Sequence, residues 1–286
     1  MRTKITTYIF CLAALPLLWG CSSEDDNSLP AGEYPLELSA RVEGVDAPIL
    51  RSVADIDNIG VFVSGGTTYN NAQYTGIAGT LTPQTQGYWG STNNISIYAY
   101  APYQATAPTS VSVKTDQNSN TDYTASDFLY ATPETFTFAN RNNVSLTFRH
   151  HLSRINLALV AGEGINSSDL SNATVRIAGM KTTASITLAD GTLGTLSNVQ
   201  TVSPNPDGTN KYKAIVIPQT VTANITLLEV TINAVSFGYA LPAMQEFKPG
   251  EQYNYTATLS QGGITLSPVE IKKWTEEVKD NNGIAN

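Results

Sequence analysis

The sequence predicts an all-β protein, built as two β-sandwich domains in tandem. Three observations carry this. Apolar residues alternate with polar ones in short runs, and no segment keeps a helical apolar period for more than a turn or two. Thr, Val, Ile and Tyr dominate those runs, which suits a half-buried pleated surface. Clusters of Gly, Asn, Asp, Pro and Thr separate them. The length left after an amino-terminal leader, roughly 265 residues, suits one large or two ordinary domains.

The leader comes first. Arg2 and Lys4 give a charged start, and Ile5 to Leu18 is apolar but too short and wrongly flanked for a stable membrane span. Leu18-Trp19-Gly20-Cys21 follows, and it resembles the lipobox of bacterial lipoproteins. Residues 1–20 are therefore expected to be a signal peptide. Cys21 is expected to be the lipidated first residue of the exported chain, because sulfur is the atom alkylated. Cys11 and Cys21 are the only cysteines, so no disulfide can form within the exported chain. Residues 21–32 read as an acidic and polar linker. Its run Ser22-Ser23-Glu24-Asp25-Asp26 is a solvated tether, or an address similar to the acidic surface-export signal of some Gram-negative lipoproteins. The expected location is the cell surface, anchored in the outer membrane through the lipid on Cys21.

The first domain is expected over 33–162. Tyr34 to Val42 alternates cleanly. Ile59, Val61 and Val63 share one face. Ile95, Ile97, Ala99 and Ala101 share another, with Tyr98 and Tyr100 opposite. Val144, Leu146, Phe148, His150 and Leu152 continue the pattern, and then the phase flips to Ile155, Leu157 and Leu159. A one-residue phase change predicts a β-bulge or a corner. Gly162 to Asn172 is polar and reads as a domain linker. The second domain is expected over 163–286. Val175 and Ile177 open it, and Ile186 and Leu188 lead into a hairpin turn at Asp190-Gly191. Strands follow at Lys211 to Ile217, Ile225 to Val235, Gln252 to Leu259 and Ile264 to Trp274.

Composition narrows the function classes. With 16 basic and 24 acidic residues the net charge is −8, and losing Arg2 and Lys4 makes it more negative. Such a chain is a poor partner for nucleic acid or for an anionic membrane surface, so the lipid must anchor it. No P-loop, dinucleotide fingerprint, zinc spacing or nucleophile elbow is present. Asp55 to Gly60 brushes a calcium-loop pattern, but Gly66 stands where the closing Glu belongs, and the segment reads as a turn. His150 and His151 are adjacent on a strand and point to opposite faces, so a structural role is expected for His150. The 14 tyrosines suit strands as well as a sugar-binding face. Neither cofactor, metal nor enzyme activity is expected.

Several pieces carry a family resemblance. They are Leu29 to Leu38, Ile59 to Val63, Tyr98 to Tyr103, Asp127 to Ala131, Val144 to Ile155, Phe247 to Tyr255 and Val269 to Trp274. In this order they resemble the fimbrillin family, the lipoprotein pilins and fimbrial accessory proteins of Gram-negative gut and oral bacteria. The resemblance implies two transthyretin-like β-sandwiches, other fimbrial subunits as partners, an unidentified host or bacterial surface ligand, and no enzyme activity. It also implies a route of assembly. Cleavage between Arg51 and Ser52, after the turn-rich Gly44 to Pro48, would free the first strand and discard the lipid with it. The groove would be refilled by a neighbour's Ile264, Leu266, Val269 and Ile271. Thr275 to Asn286 departs from the family's C-terminal strand in being polar without alternation, which leaves open a stalk, tip or anchor position. The rival expectation is a surface-anchored glycan-binding lipoprotein of a nutrient-uptake system.

Overall fold

The structure, a computed structural model, describes residues 27–43, 58–77 and 79–275. The signal segment, Cys21, the acidic run, Arg51, Ser52 and residues 276–286 lie outside them.

The chain is all-β, and its strands fall into two groups. The first holds β1 (Leu38–Val42), β2 (Ile59–Gly65), β3 (Tyr69–Ile77), β4 (Thr80–Pro83), β5 (Ile95–Ala101), β6 (Ser110–Ser112), β7 (Leu129–Phe136) and β8 (Ser145–His150). A short helix, α1 (Asn120–Ala125), precedes β7, and Ser119 caps it by accepting from the Asp122 N–H. Seven of these strands close into a barrel in the order β1-β4-β3-β2-β5-β7-β8. Closure depends on β1, which pairs antiparallel with β4 and parallel with β8. The expected alternation fills the barrel: Ile59, Val61, Val63, Ile95, Ile97, Ala99, Leu146 and Phe148 are all buried in one core.

The second group runs β9 (Ser153–Ala161), β10 (Thr174–Thr187), β11 (Thr192–Val202), β12 (Asn205–Pro206), β13 (Lys211–Val216), β14 (Gln219–Val221), β15 (Thr226–Ile232), β16 (Val235–Ala240), β17 (Gln245–Phe247), β18 (Glu251–Ser260), β19 (Gly263–Leu266) and β20 (Glu270–Lys273). One sheet has the order β11-β10-β15-β16, with β6 joined to β10. The other has the order β12-β13-β9-β18-β19, with β20 also on β18. Ile155, Leu157, Leu159, Val175, Val230, Tyr253 and Leu259 lie in the core of this group.

Three sequence expectations change in the structure. The phase flip after His150 is the place where the chain leaves the barrel: β8 ends there, and β9 pairs with β13 and β18. The polar stretch Gly162 to Asn172, read as an inter-domain linker, instead joins β9 to β10 across one core, with Leu170 buried in it. The change of sheet therefore falls at His151–Leu152, not at 162/163. Finally, Ile225 to Val235 and Ile264 to Trp274 are each interrupted. Asn233 and Ala234 turn the first with positive φ, and Ser267-Pro268-Val269 breaks the second.

A third core sits between the two groups and explains why β5 and β7 carry bulky residues on both faces. Tyr100, Phe128 and Tyr130 from the first group meet Ala184, Ile186, Ile215 and Ile217 from the second, together with Leu152 and Trp274. The hairpin turn expected at Asp190-Gly191 docks here. Tyr130 Oη donates to the Leu188 carbonyl at 2.7 Å. Gly191 has φ +76°, and a Cβ there would lie 2.5 Å from the Tyr130 ring. Both facts require glycine.

Candidate functional site

Two features bear on function: the slot that holds β1, and the joint where the C-terminal edge strand ends beside it. The slot follows from alternation. Leu36, Leu38, Ala40 and Val42 point inward and are each at most 5% exposed. β1 therefore has a neighbour on both edges and its apolar face in the barrel core. Taking it out would uncover that core and leave two unpaired edges, on β4 and β8.

The C-terminal edge is built differently. β19 and β20 lie along the same side of β18, pairing with its last and first residues respectively. They make one edge strand with a break at Pro268. Of the four predicted donor residues, Ile264 is buried, and Leu266 and Val269 are partly buried against the same core. Ile271 faces Tyr253 across the pair but is 48% exposed. The structure thus places these residues in the chain's own sheet.

The joint is where four of the resemblance-bearing pieces meet. Trp274, just after β20, lies flat on His150 with ring centroids 3.8 Å apart and planes 5° apart. Asp127 holds the His150 Nδ1 at 2.8 Å, and the Arg154 guanidinium lies 5.8 Å from the Trp274 ring centroid. The backbone is laced to match: the Trp274 N–H donates to the Gly250 carbonyl at 2.7 Å, and the Gly250 N–H donates to Leu152 at 2.8 Å. Ser153 Oγ donates to the Lys248 carbonyl. His151 points the other way. Its Nε2–H donates to the Gly191 carbonyl at 2.5 Å, and burial holds the imidazole below its ordinary value despite that bond. The two histidines thus serve different neighbours, as adjacent strand positions require.

β1 and the C-terminal edge touch at Glu43. Its carboxylate accepts a two-pronged contact from Arg149, and Lys273 Nζ stands 3.8 Å away. The bonds from Arg149 hold Glu43 below the ordinary carboxylate range, against an opposing effect of burial and with help from the charges of Arg149, Lys273 and Arg41. A cavity of about 310 Å³ lies beneath this contact, lined by Arg149, His150, Lys273 and Trp274 among others. Among the described residues no group of three His, Cys, Asp or Glu side chains could hold a metal ion. Sequence reasoning noted His150 and Trp274 separately and missed the Asp127 and Glu43 contacts. Only their places inside the resemblance-bearing pieces, or just beyond them, could have signalled these.

The fimbrillin-like family model matches residues 50–274. Solved structures give the same fold. A proposed cell adhesion protein of Bacteroides uniformis is 24% identical, with TM-score 0.71 over 86% of this chain and all of that one. A second, from Bacteroides ovatus, is 21% identical, with TM-score 0.68 over 85% of this chain and 98% of that one. A fimbrial protein of Bacteroides vulgatus is 15% identical, with TM-score 0.53 over 84% of this chain and 99% of that one. No curated protein matches.

Proposed function

The chain belongs to the fimbrillin-like family, and on that premise we propose that it is a structural or adhesive subunit of a bacterial surface fibre. In this reading it is exported as a lipoprotein through Cys21, freed by cleavage after Arg51, and joined to its neighbours by strand replacement. The observation that carries the reading is the slot of β1. A short strand with both edges paired, three inward residues buried and Leu36 buried just ahead of it is, among the described residues, a piece whose removal would create a binding groove. Cleavage after Arg51 would detach β1 while leaving every other described strand on one chain. In an intact subunit the slot is filled, which would keep copies from joining too early.

The test is Arg51→Ala in the producing bacterium, with N-terminal sequencing of the surface protein and electron microscopy of fibres. The expected result is a retained lipidated N-terminus and loss of this subunit from fibres. Fibres and a mature N-terminus unchanged from wild type would end the cleavage reading. Saturable oligosaccharide binding by a monomer that never enters fibres would favour the glycan-binding alternative.

A further inference from the structure

Among the described residues the two larger open sheets end in β11, β16, β12 and the β19–β20 strand, with three-residue β6 as a further short edge on β10, and β11 differs from the rest. β12 is two residues long, preceded by Pro204 and containing Pro206. The β19–β20 edge is broken by Pro268 and carries Glu270, Lys272 and Lys273. Prolines, lysines and brevity are the usual means by which an edge refuses another strand. β16 is uncharged but spans only Val235–Ala240. β11 has none of these protections. It runs eleven residues without a charge or a proline. The neutral stretch extends over Gly191 to Pro206, in a chain of net charge −8.

β11 is also bare. Ser197, Asn198, Val199, Gln200 and Thr201 are consecutive and all exposed, so both faces of this half of the strand meet solvent. Val199 is 66% exposed. Among the described residues only β10 pairs with the strand. The edge is not fully regular, since the register shifts opposite Ala184–Ile186 and Asn198 has φ +59°, so at roughly 3.3 Å per residue it is at most about 36 Å long.

We propose that β11 is a self-association edge. It pairs antiparallel with β11 of a second copy about a two-fold axis, so that the sheet β16-β15-β10-β11 continues into the neighbour. A second copy is the occupant because neutral meets neutral there, whereas copies of an acidic chain repel each other elsewhere. The strand's Thr192, Thr195 and Thr201 supply the hydroxyl-bearing pairs that favour cross-strand contact. A two-fold contact of this kind closes on itself and makes a lateral link rather than a longer fibre. Edge pairing buries little area, so the link acts where copies are crowded on a surface. It uses neither Arg51 nor β1 and does not depend on strand replacement.

The test uses the full chain in the producing bacterium. Val199→Cys on β11 and Val235→Cys on β16 are treated with a short bifunctional maleimide, and dimers are read on denaturing gels. The expected result is at least about tenfold more dimer from Val199→Cys, with Val199 facing its own copy across the axis, falling about tenfold when Gln200→Lys places like charges beside that axis. Thr201→Lys is the second charge variant should Gln200→Lys not fold. Equal dimer from the two cysteine positions would overturn the proposal. So would indifference to the added lysine, or a crosslink to a different protein. Dimer that vanishes in an Arg51→Ala background would assign the contact to strand replacement instead.

Discussion

The two ends of the described chain meet at Glu43 and Lys273, yet they are held in unlike ways. β1 has partners on both edges and its whole apolar face buried. β20 has one partner, β18, and its Ile271 is half exposed. β1 can leave only by uncovering a core. β20 can come away one residue at a time. What holds the weaker strand is a single side chain beyond its end, Trp274, sealed at the joint between the two groups. Extent of pairing and strength of anchoring are thus divided between different residues.

Trp274→Ala tests that division most severely. It empties a buried indole site and is expected to cost about 3–5 kcal/mol in urea unfolding. Amide exchange over 270–273 should also quicken, while β18 stays protected. Leu38→Ala, in the buried face of β1, is expected to cost about 3 kcal/mol. Ile271→Ala should cost roughly 1 kcal/mol or less, because the side chain is already half in solvent. A loss from Ile271→Ala equal to that from Leu38→Ala would erase the contrast between the ends. The smallest effects are electrostatic. The Glu43 contribution is complete above its ordinary value of 4.5 and is lost as pH falls through the lowered folded value. His151 is shifted the same way but is a base. The folded chain binds its proton less readily than the unfolded chain, so its contribution is complete above 6.5 and fades as pH falls below that. The urea midpoint of wild type should therefore drop between pH 7 and pH 5, and His151→Gln should lessen that drop.

The strands that were legible in the sequence are those with one wet face and one dry face, or two dry ones. Ile95 to Ala101, Val144 to His150 and Gln252 to Leu259 show their alternation directly. β11 was invisible for a physical reason. Its apolar residues, Leu193, Leu196, Val199 and Val202, recur every third position, because Ser197 to Thr201 is exposed on both faces and the strand is interrupted by a register shift and by left-handed Asn198, so no single buried side sets a period of two. The closing partners were also out of reach. Ser39 pairs with Ser145, and Gln252 with Arg154, and no local pattern encodes contacts so far apart in sequence. The same limit hid the joint. Asp127, His150 and Trp274 each looked like one more strand-end residue, and only folding brings them into contact.

The parallel pairing of β1 with β8 has a mechanical consequence. β8 carries the chain onward from its C-terminal end into β9, whereas β1 is approached from its N-terminal end. A pull between an N-terminal tether and the body of the protein runs along both strands in opposite senses. The hydrogen bonds between them lie across that direction, so they are strained together and must fail together. A pull on the C-terminal end acts on β20, whose antiparallel bonds to β18 open one after another once Trp274 has yielded. Under tension, then, the same molecule is a clasp at one end and a peel strip at the other.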